Sequence, residues 1–341
     1  MTYAGDKGTV SIELVHEALK ASIERGIDIS QVLKKSNIDL QLLQSAKSRV
    51  SANAYADLWI NLADQIDDEF FGMDSHPMRR GSFRLMCNAA VGTRNLGQAL
   101  GRMITFLSVV QDDLKGKMTF EGKEALITLN DNGVERRLFA YGTWFILVHG
   151  LACGLVRRRI PLNELKFRSM APDDDSHYRT RFSENVIFGS DVTQMRFDAD
   201  ILNLKIVETQ SSLPDFLKES PANLLVKYRN DSSTSIIIKR KLRTQSPEAW
   251  PELDVLAKML FISSTTLQRR LQAEGLNYQR LKDEFRRDIA IDLLSNGNLT
   301  IAQISTRTGF QETSAFYRAF KKWTGVIPGA YRKRIDDHSA T

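Results

Sequence analysis

Apolar residues recur at helical spacing through much of the chain, and the breaks in that rhythm divide it. Ile12, Val15, Leu19 and Ile23 fall three or four apart across Ser11 to Arg25. That spacing predicts an amphipathic helix, stopped by Gly26. Residues 53–66 and 96–110 predict two more. At residues 118–129, MTFEGKEALITL, the period shortens to two around Gly122, which predicts a β-hairpin. Residues 186–188 and 195–197 are short strand candidates. The first part of the chain is therefore expected to be α+β, with helices beside a small antiparallel sheet.

From Ser235 onward the pattern is helical almost throughout. Ser235 to Arg243 forms one short basic helix, and Leu253, Leu256, Ala257 and Leu260 mark the next. Ser263 is a natural N-cap for a helix carrying Leu267 and Leu271, ended by Gly275. A long helix follows from Tyr278 to Ser295, with the stripe Leu281, Phe285, Ile289 and Leu293, and stops at Asn296-Gly297. Thr300 caps a helix with Ile301 and Ile304, closed by Gly309. Phe316, Phe320 and Trp323 lie on the next, closed by Gly325, and Pro328 opens the last. The polar stretch YRNDSSTS at 228–235 has linker chemistry. It places the expected boundary between a domain at 1–230 and an all-α domain at 231–341.

Within that second domain one arrangement occurs twice. A short helix (253–260), a turn and a helix from Ser264 are matched by a short helix (301–307), a turn at Gly309 and a helix from Thr313. A supporting helix followed by one with a polar outer face is the logic of a helix-turn-helix. The second helix enters a major groove about 12 Å wide and presents side chains to base edges. Thr265, Gln268 and Arg269 occupy such positions in the first unit, and Thr313, Ser314, Tyr317 and Arg318 in the second. Arginine suits guanine and glutamine suits adenine. The connecting helix of 18 residues is about 27 Å long, near the roughly 34 Å between successive major-groove segments on one face of DNA. The pattern alone equally allows a helical bundle with basic surfaces.

Charge narrows the choice. From Ser232 onward there are 18 Lys and Arg against 11 Asp and Glu, a net +7, while the rest of the chain sums to −1. A basic excess confined to one module is the footprint of polyanion binding. The start of the chain has Asp6 and Lys7 and no apolar core, so no secretory signal is expected. Cys87 and Cys153 cannot build a disulfide framework and suggest a reduced, cytoplasmic protein. Residues 139–156 carry no Asp, Glu, Lys or Arg, and Gly150 and Gly154 form a GxxxG pair. Gly142, Thr143 and His149 interrupt the run, and arginines flank both ends. A buried helix is expected there rather than a membrane span. HExxH, GxSxG, Walker and GxGxxG motifs are absent, so neither enzyme chemistry, nor a cofactor, nor a metal is expected. Arg84, Trp144 and Phe145 are basic and aromatic residues amid apolar helices, and are candidates for an effector pocket.

The stretches LAKMLFISSTTLQRRLQAEG (256–275) and ISTRTGFQETSAFYRAFKKWTGVIPGAYR (304–332) carry a resemblance. Gly309, Phe310, Ser314, Phe316, Arg318, Phe320, Lys321, Gly325, Pro328, Tyr331 and Arg332 reproduce the spaced pattern of the AraC/XylS family of transcription regulators. Ser305 stands where the family usually has Ala, and Thr308 where it usually has Leu or Val. Leu14 to Gly26, the region from Tyr55 to Gly72, and FSENVIFGSDVTQMRFDADIL (182–202) are similar to the arabinose-binding-type sensor domain of the ornithine-utilisation regulator branch. A proline that often follows the last strand there is replaced by Leu204-Lys205-Ile206.

The resemblance implies base reading by Thr265, Gln268, Arg269, Thr313, Ser314, Tyr317 and Arg318. It implies phosphate contacts by Lys321, Lys322 and Arg332. It also implies a homodimeric activator that binds double-stranded promoter DNA, recruits RNA polymerase and answers to a small-molecule effector in its first domain. The alternative is a ligand-independent architectural DNA binder.

Overall fold

The computed structural model describes residues 9–225, 234–273, 277–295 and 299–336. The predicted helix stops at Gly275 and Asn296-Gly297, and most of the 228–235 linker, lie outside the described residues. In chain order the elements are β1 (Thr9–Ser11), α1 (Ile12–Glu24), α2 (Ser30–Lys35), β2 (Arg49–Ser51), α3 (Ala52–Ile66), α4 (Ser82–Val91), α5 (Leu96–Val110), β3 (Lys115–Glu121) and β4 (Glu124–Asn130). There follow α6 (Leu138–Phe145), a π turn (Ile146–Gly150), α7 (Leu151–Leu155), β5 (Glu164–Lys166), α8 (Ser176–Arg181), β6 (Val186–Ile187), β7 (Thr193–Asp198), α9 (Leu213–Lys218) and α10 (Ala222–Leu225). The remainder is helical: α11 (Thr234–Arg243), α12 (Leu253–Met259), α13 (Ser264–Ala273), α14 (Tyr278–Ser295), α15 (Ile301–Arg307), α16 (Thr313–Thr324) and α17 (Pro328–Asp336).

The chain forms two compact units. The first comprises residues 14–32 and 56–229. Its sheet runs β3-β4-β7-β5-β6. The alternating run at 118–129 is the β3–β4 hairpin, with Gly122 at positive φ in its turn. Three of the four pairings are antiparallel, as expected, but the edge strand β6 lies parallel to β5. A two-residue strand reached through the helix α8 arrives in that direction, which no local alternation records. Ile23 also departs from expectation. It is 49% exposed, while Ile12, Val15 and Leu19 are fully buried. The apolar stripe leaves the core in the last turn of α1.

The apolar run forms one continuous helix through α6, the π turn and α7. By length and composition it would cross a membrane, yet 89% of Leu138–Leu155 is buried in the fold. Its glycines are contact points. A Cβ on Gly154 would sit 2.5 Å from the Phe216 ring of α9, and one on Gly150 3.1 Å from Arg181 and 3.2 Å from Leu224. The GxxxG pair thus seats α9 and α10 of the same chain. His149 is a core residue. Burial pushes its pKa down to about 3, so its neutral ring donates from Nε2 to the Ile160 carbonyl at 2.9 Å. Burial raises both thiols, Cys87 and Cys153, which keeps them protonated and inert.

The second unit comprises residues 1–13, 33–55 and 230–341. In it β1 pairs antiparallel with β2. The Thr9 hydroxyl donates to Asp288 of α14 at 2.7 Å, and the Tyr331 hydroxyl of α17 donates to the Arg49 carbonyl at 2.8 Å. Burial alone would raise the Asp288 carboxyl. The charges of Arg287, Lys239 and Arg49, with the Thr9 hydroxyl, instead hold it below the ordinary carboxylate value. This small ribbon and the helical module therefore share one compact body.

Candidate DNA-binding surface and effector cavity

The two helix-turn-helix units are built alike. In the first, Leu260, Phe261 and Ile262 close α12 with amide bonds back to Leu256, Lys258 and Ala257. In the second, Thr308, Gly309 and Phe310 close α15 with bonds back to Ile304, Thr306 and Ser305. Both turns pass through the left-handed region, at Phe261 (φ 56°) and Gly309 (φ 82°). Ser263 accepts from the Thr266 amide at the start of α13. Thr300 and Gln303 form a reciprocal capping box at α15.

Each unit has its own core. Leu256, Ala257, Leu267 and Leu271 bury with Ile238, Leu242, Leu281 and Phe285. In the second, Phe316 contacts Phe310 and Phe320, and Phe320 meets Tyr331 edge-on at 5.5 Å. The family departures are legible here. The Thr308 hydroxyl is buried but donates to the Ile304 and Ser305 carbonyls at 2.8 and 2.9 Å. Ser305 is buried with no hydrogen-bond partner for its hydroxyl among the described residues.

What joins the two cores is Arg286 of α14. Its guanidinium lies 5.4 Å from the Trp250 ring centroid and 5.7 Å from that of Phe310. Trp250 stacks on Phe285 in the first core, and Phe310 belongs to the second. Gly309 completes the junction, since a Cβ there would lie 2.9 Å from the Pro247 carbonyl carbon and 3.0 Å from the Glu248 amide nitrogen. The long helix, Arg286 and the 247–249 turn hold the two units in one arrangement.

On this frame the outer residues form two stripes. Thr265, Gln268 and Arg269 of α13 are exposed. Gln272, also exposed, extends their i, i+3, i+4 spacing by one more turn. Sequence reasoning missed it, although the spacing signalled it. On α16, Thr313, Ser314, Arg318, Lys321 and Lys322 are exposed and Tyr317 is half-buried. Ser314 donates to the neighbouring Glu312 at 3.1 Å, an exposed acid that also went unremarked. Arg332 on α17 is half-buried rather than free on the surface.

The first unit holds a cavity of about 520 Å³ lined by apolar residues from α3, the π turn, α9 and α10, with Glu69, Arg80, Arg84 and Lys218. Of the three effector candidates, Arg84 lines it. Trp144 and Phe145 do not. They are fully buried and meet edge-on at 5.8 Å, and the Trp144 ring occupies the space a Cβ on Gly116 would need.

Residues 26–206 match the family described as the arabinose-binding domain of AraC transcription regulator, N-terminal, and residues 256–334 match a helix-turn-helix domain. The chain belongs to the AraC family of transcription regulators. This AraC-type chain is 40% identical over 108 residues to an HTH-type transcriptional regulator of Mycobacterium tuberculosis, covering 31% of each chain. It is 36% identical over 94 residues to the Ornithine utilization regulator of Pseudomonas aeruginosa, covering 28% of each. These matches thus span about three tenths of the relatives' own length. The solved structure of the transcriptional regulator CdpR from Pseudomonas aeruginosa aligns over 95% of this chain and 98% of its own, at 18% identity and a TM-score of 0.29. The AraC-type chain thus pairs an N-terminal domain of the arabinose-binding type with a helix-turn-helix domain.

Proposed function

We propose that this regulator reads promoter DNA with both helix-turn-helix units at once and activates transcription when a small-molecule effector occupies its first domain. The observation that carries the proposal is the pair of exposed polar stripes on α13 and α16, mounted on one buried frame. Thr265, Gln268, Arg269, Thr313, Ser314, Tyr317 and Arg318 are assigned to base edges. Lys321, Lys322 and Arg332 are assigned to phosphates. Residues 231–341 form the DNA-binding domain in this scheme, and 1–230 the effector-sensing and dimerisation domain. The protein acts in the cytoplasm as a homodimer and recruits RNA polymerase. The effector works by population shift, binding the DNA-competent arrangement better than the other.

Arg318→Ala should weaken binding to the preferred site by about 1–3 kcal/mol and relax discrimination at one base position. Lys321→Ala should weaken binding to every duplex alike and lower the salt slope by about one. Titrations of both variants on operator and random DNA at several salt concentrations separate these effects. Equal losses on both DNAs for Arg318→Ala would count against the assignment.

A further inference from the structure

The cavity in the first unit has a charge pattern that selects its ligand. Its walls are apolar and aromatic, including Trp59, Phe71 and Phe83. Aromatic walls with a carboxylate nearby would ordinarily suit a cation, and Glu69 is such a carboxylate. Glu69 is already committed, however. One of its oxygens accepts from Arg80 at 2.8 Å and the Gly81 amide at 2.9 Å, and the other from the Phe83 amide at 2.6 Å. Arg80 is likewise neutralised, pairing with Glu69 and with Asp64.

Two lining cations remain, Arg84 and Lys218. Neither has a side-chain partner among the described residues, so the lining carries an uncompensated charge of two positive groups beside a hydrophobic interior. A second feature marks the place. Leu147, in the wall, belongs to the π turn that interrupts the central helix. Such single-turn bulges concentrate at functional sites. The volume of about 520 Å³ lies within the roughly 300–1,000 Å³ usual for small-ligand pockets.

We infer that this cavity takes an amphiphilic carboxylate, an apolar body seated among Trp59, Phe71 and Leu147 with its anionic head at Arg84 and Lys218. The inference rests on the reading that the first domain binds an effector, and it names the chemical class. Arg84 and Lys218 set the sign of the ligand's charge, and the aromatic walls set its apolar bulk.

The test is calorimetric titration of the full chain with three probes of one chain length, each below its micelle concentration: decanoate, decanol and decyltrimethylammonium. Decanoate should bind at least about tenfold tighter than decanol, the scale of one charge-assisted hydrogen bond, and decyltrimethylammonium weakest. The Arg84→Ala and Lys218→Ala variants, at exposed positions that the fold does not need, should each erase most of the preference for decanoate. Ile60→Trp, which fills the cavity, should abolish binding of all three. Equal binding of the three probes, still blocked by Ile60→Trp, would overturn the anion assignment and leave the effector reading standing. Failure of decanoate to bind would also overturn it. The effector reading itself falls only if a broad metabolite panel also leaves the thermal stability of the full chain unchanged.

Discussion

Replacing Gly309 by alanine is expected to destabilise the DNA-binding module by about 3 kcal/mol, the sum of a left-handed-backbone cost of roughly 1–2 and an overpacking cost of roughly 1–3. The residue sits at φ 82°, where a side chain is strained whatever the space. There is no space either. The new methyl would meet the Pro247 carbonyl carbon at 2.9 Å and the Glu248 amide nitrogen at 3.0 Å, backbone atoms that cannot rotate away. Relief requires the 247–249 turn to separate from α15, which is the junction holding the two units together. Urea denaturation should show the lower midpoint, and affinity for a two-block site should fall further than affinity for a single block. The matching position in the first unit supplies the control. Phe261 adopts the same backbone region but is 96% exposed, so Phe261→Ala should change stability by less than about 0.5 kcal/mol.

Phe316→Ala is expected to cost about 3–5 kcal/mol, the range for truncating a fully buried aromatic. Its ring is completely buried, 5.7 Å from both Phe310 and Phe320. The cavity left behind undermines the face that sets the angle of α16. The first core, with Leu256, Leu267 and Leu271, does not contain this residue. Denaturation followed by the near-ultraviolet signal of Trp323 should therefore shift more than that of Trp250. Specific binding should be lost while salt-dependent, non-specific binding survives, because the lysines of α16 attract phosphate without needing a fixed register. Coincident shifts at both tryptophans would mean that the two units unfold as one.

These contrasts explain what the sequence could reveal. In the helical module the punctuation among the described residues is local. Ser263 and Thr300 cap by bonds to residues three along, and Gly309 and Gly325 stop helices through their own φ. Hence α13 and α15 begin, and α15 and α16 end, where pattern and caps place them. The α5 helix and the β3–β4 hairpin were legible for the same reason. The three-residue strands β1, β2 and β5 were not, because so short a run has no period to detect. The pairing of Thr9–Ser11 with Arg49–Ser51, and its attachment to α14 and α17, joins segments far apart in the chain.

The cavity of the first unit followed the same rule. Of the three candidate residues Arg84 lines it, Trp144 and Phe145 are core residues, and the lining residues Glu69, Phe83 and Lys218 were not singled out in the sequence. The lining comes from separate stretches near residues 59–84, 147 and 217–224, which no spacing rule connects. The exposed polar stripes of α13 and α16, by contrast, each lie on one helix, where i, i+3 and i+4 positions are neighbours by geometry.

The most direct test is selection of the full-length protein against random duplexes at moderate salt. Two reading helices fixed on one rod should enrich two blocks of preferred bases with centres about 10–10.5 base pairs apart, one block altered by Gln268→Ala and the other by Arg318→Ala. Enrichment of a single block, or of no sequence at all, would contradict simultaneous reading by both units.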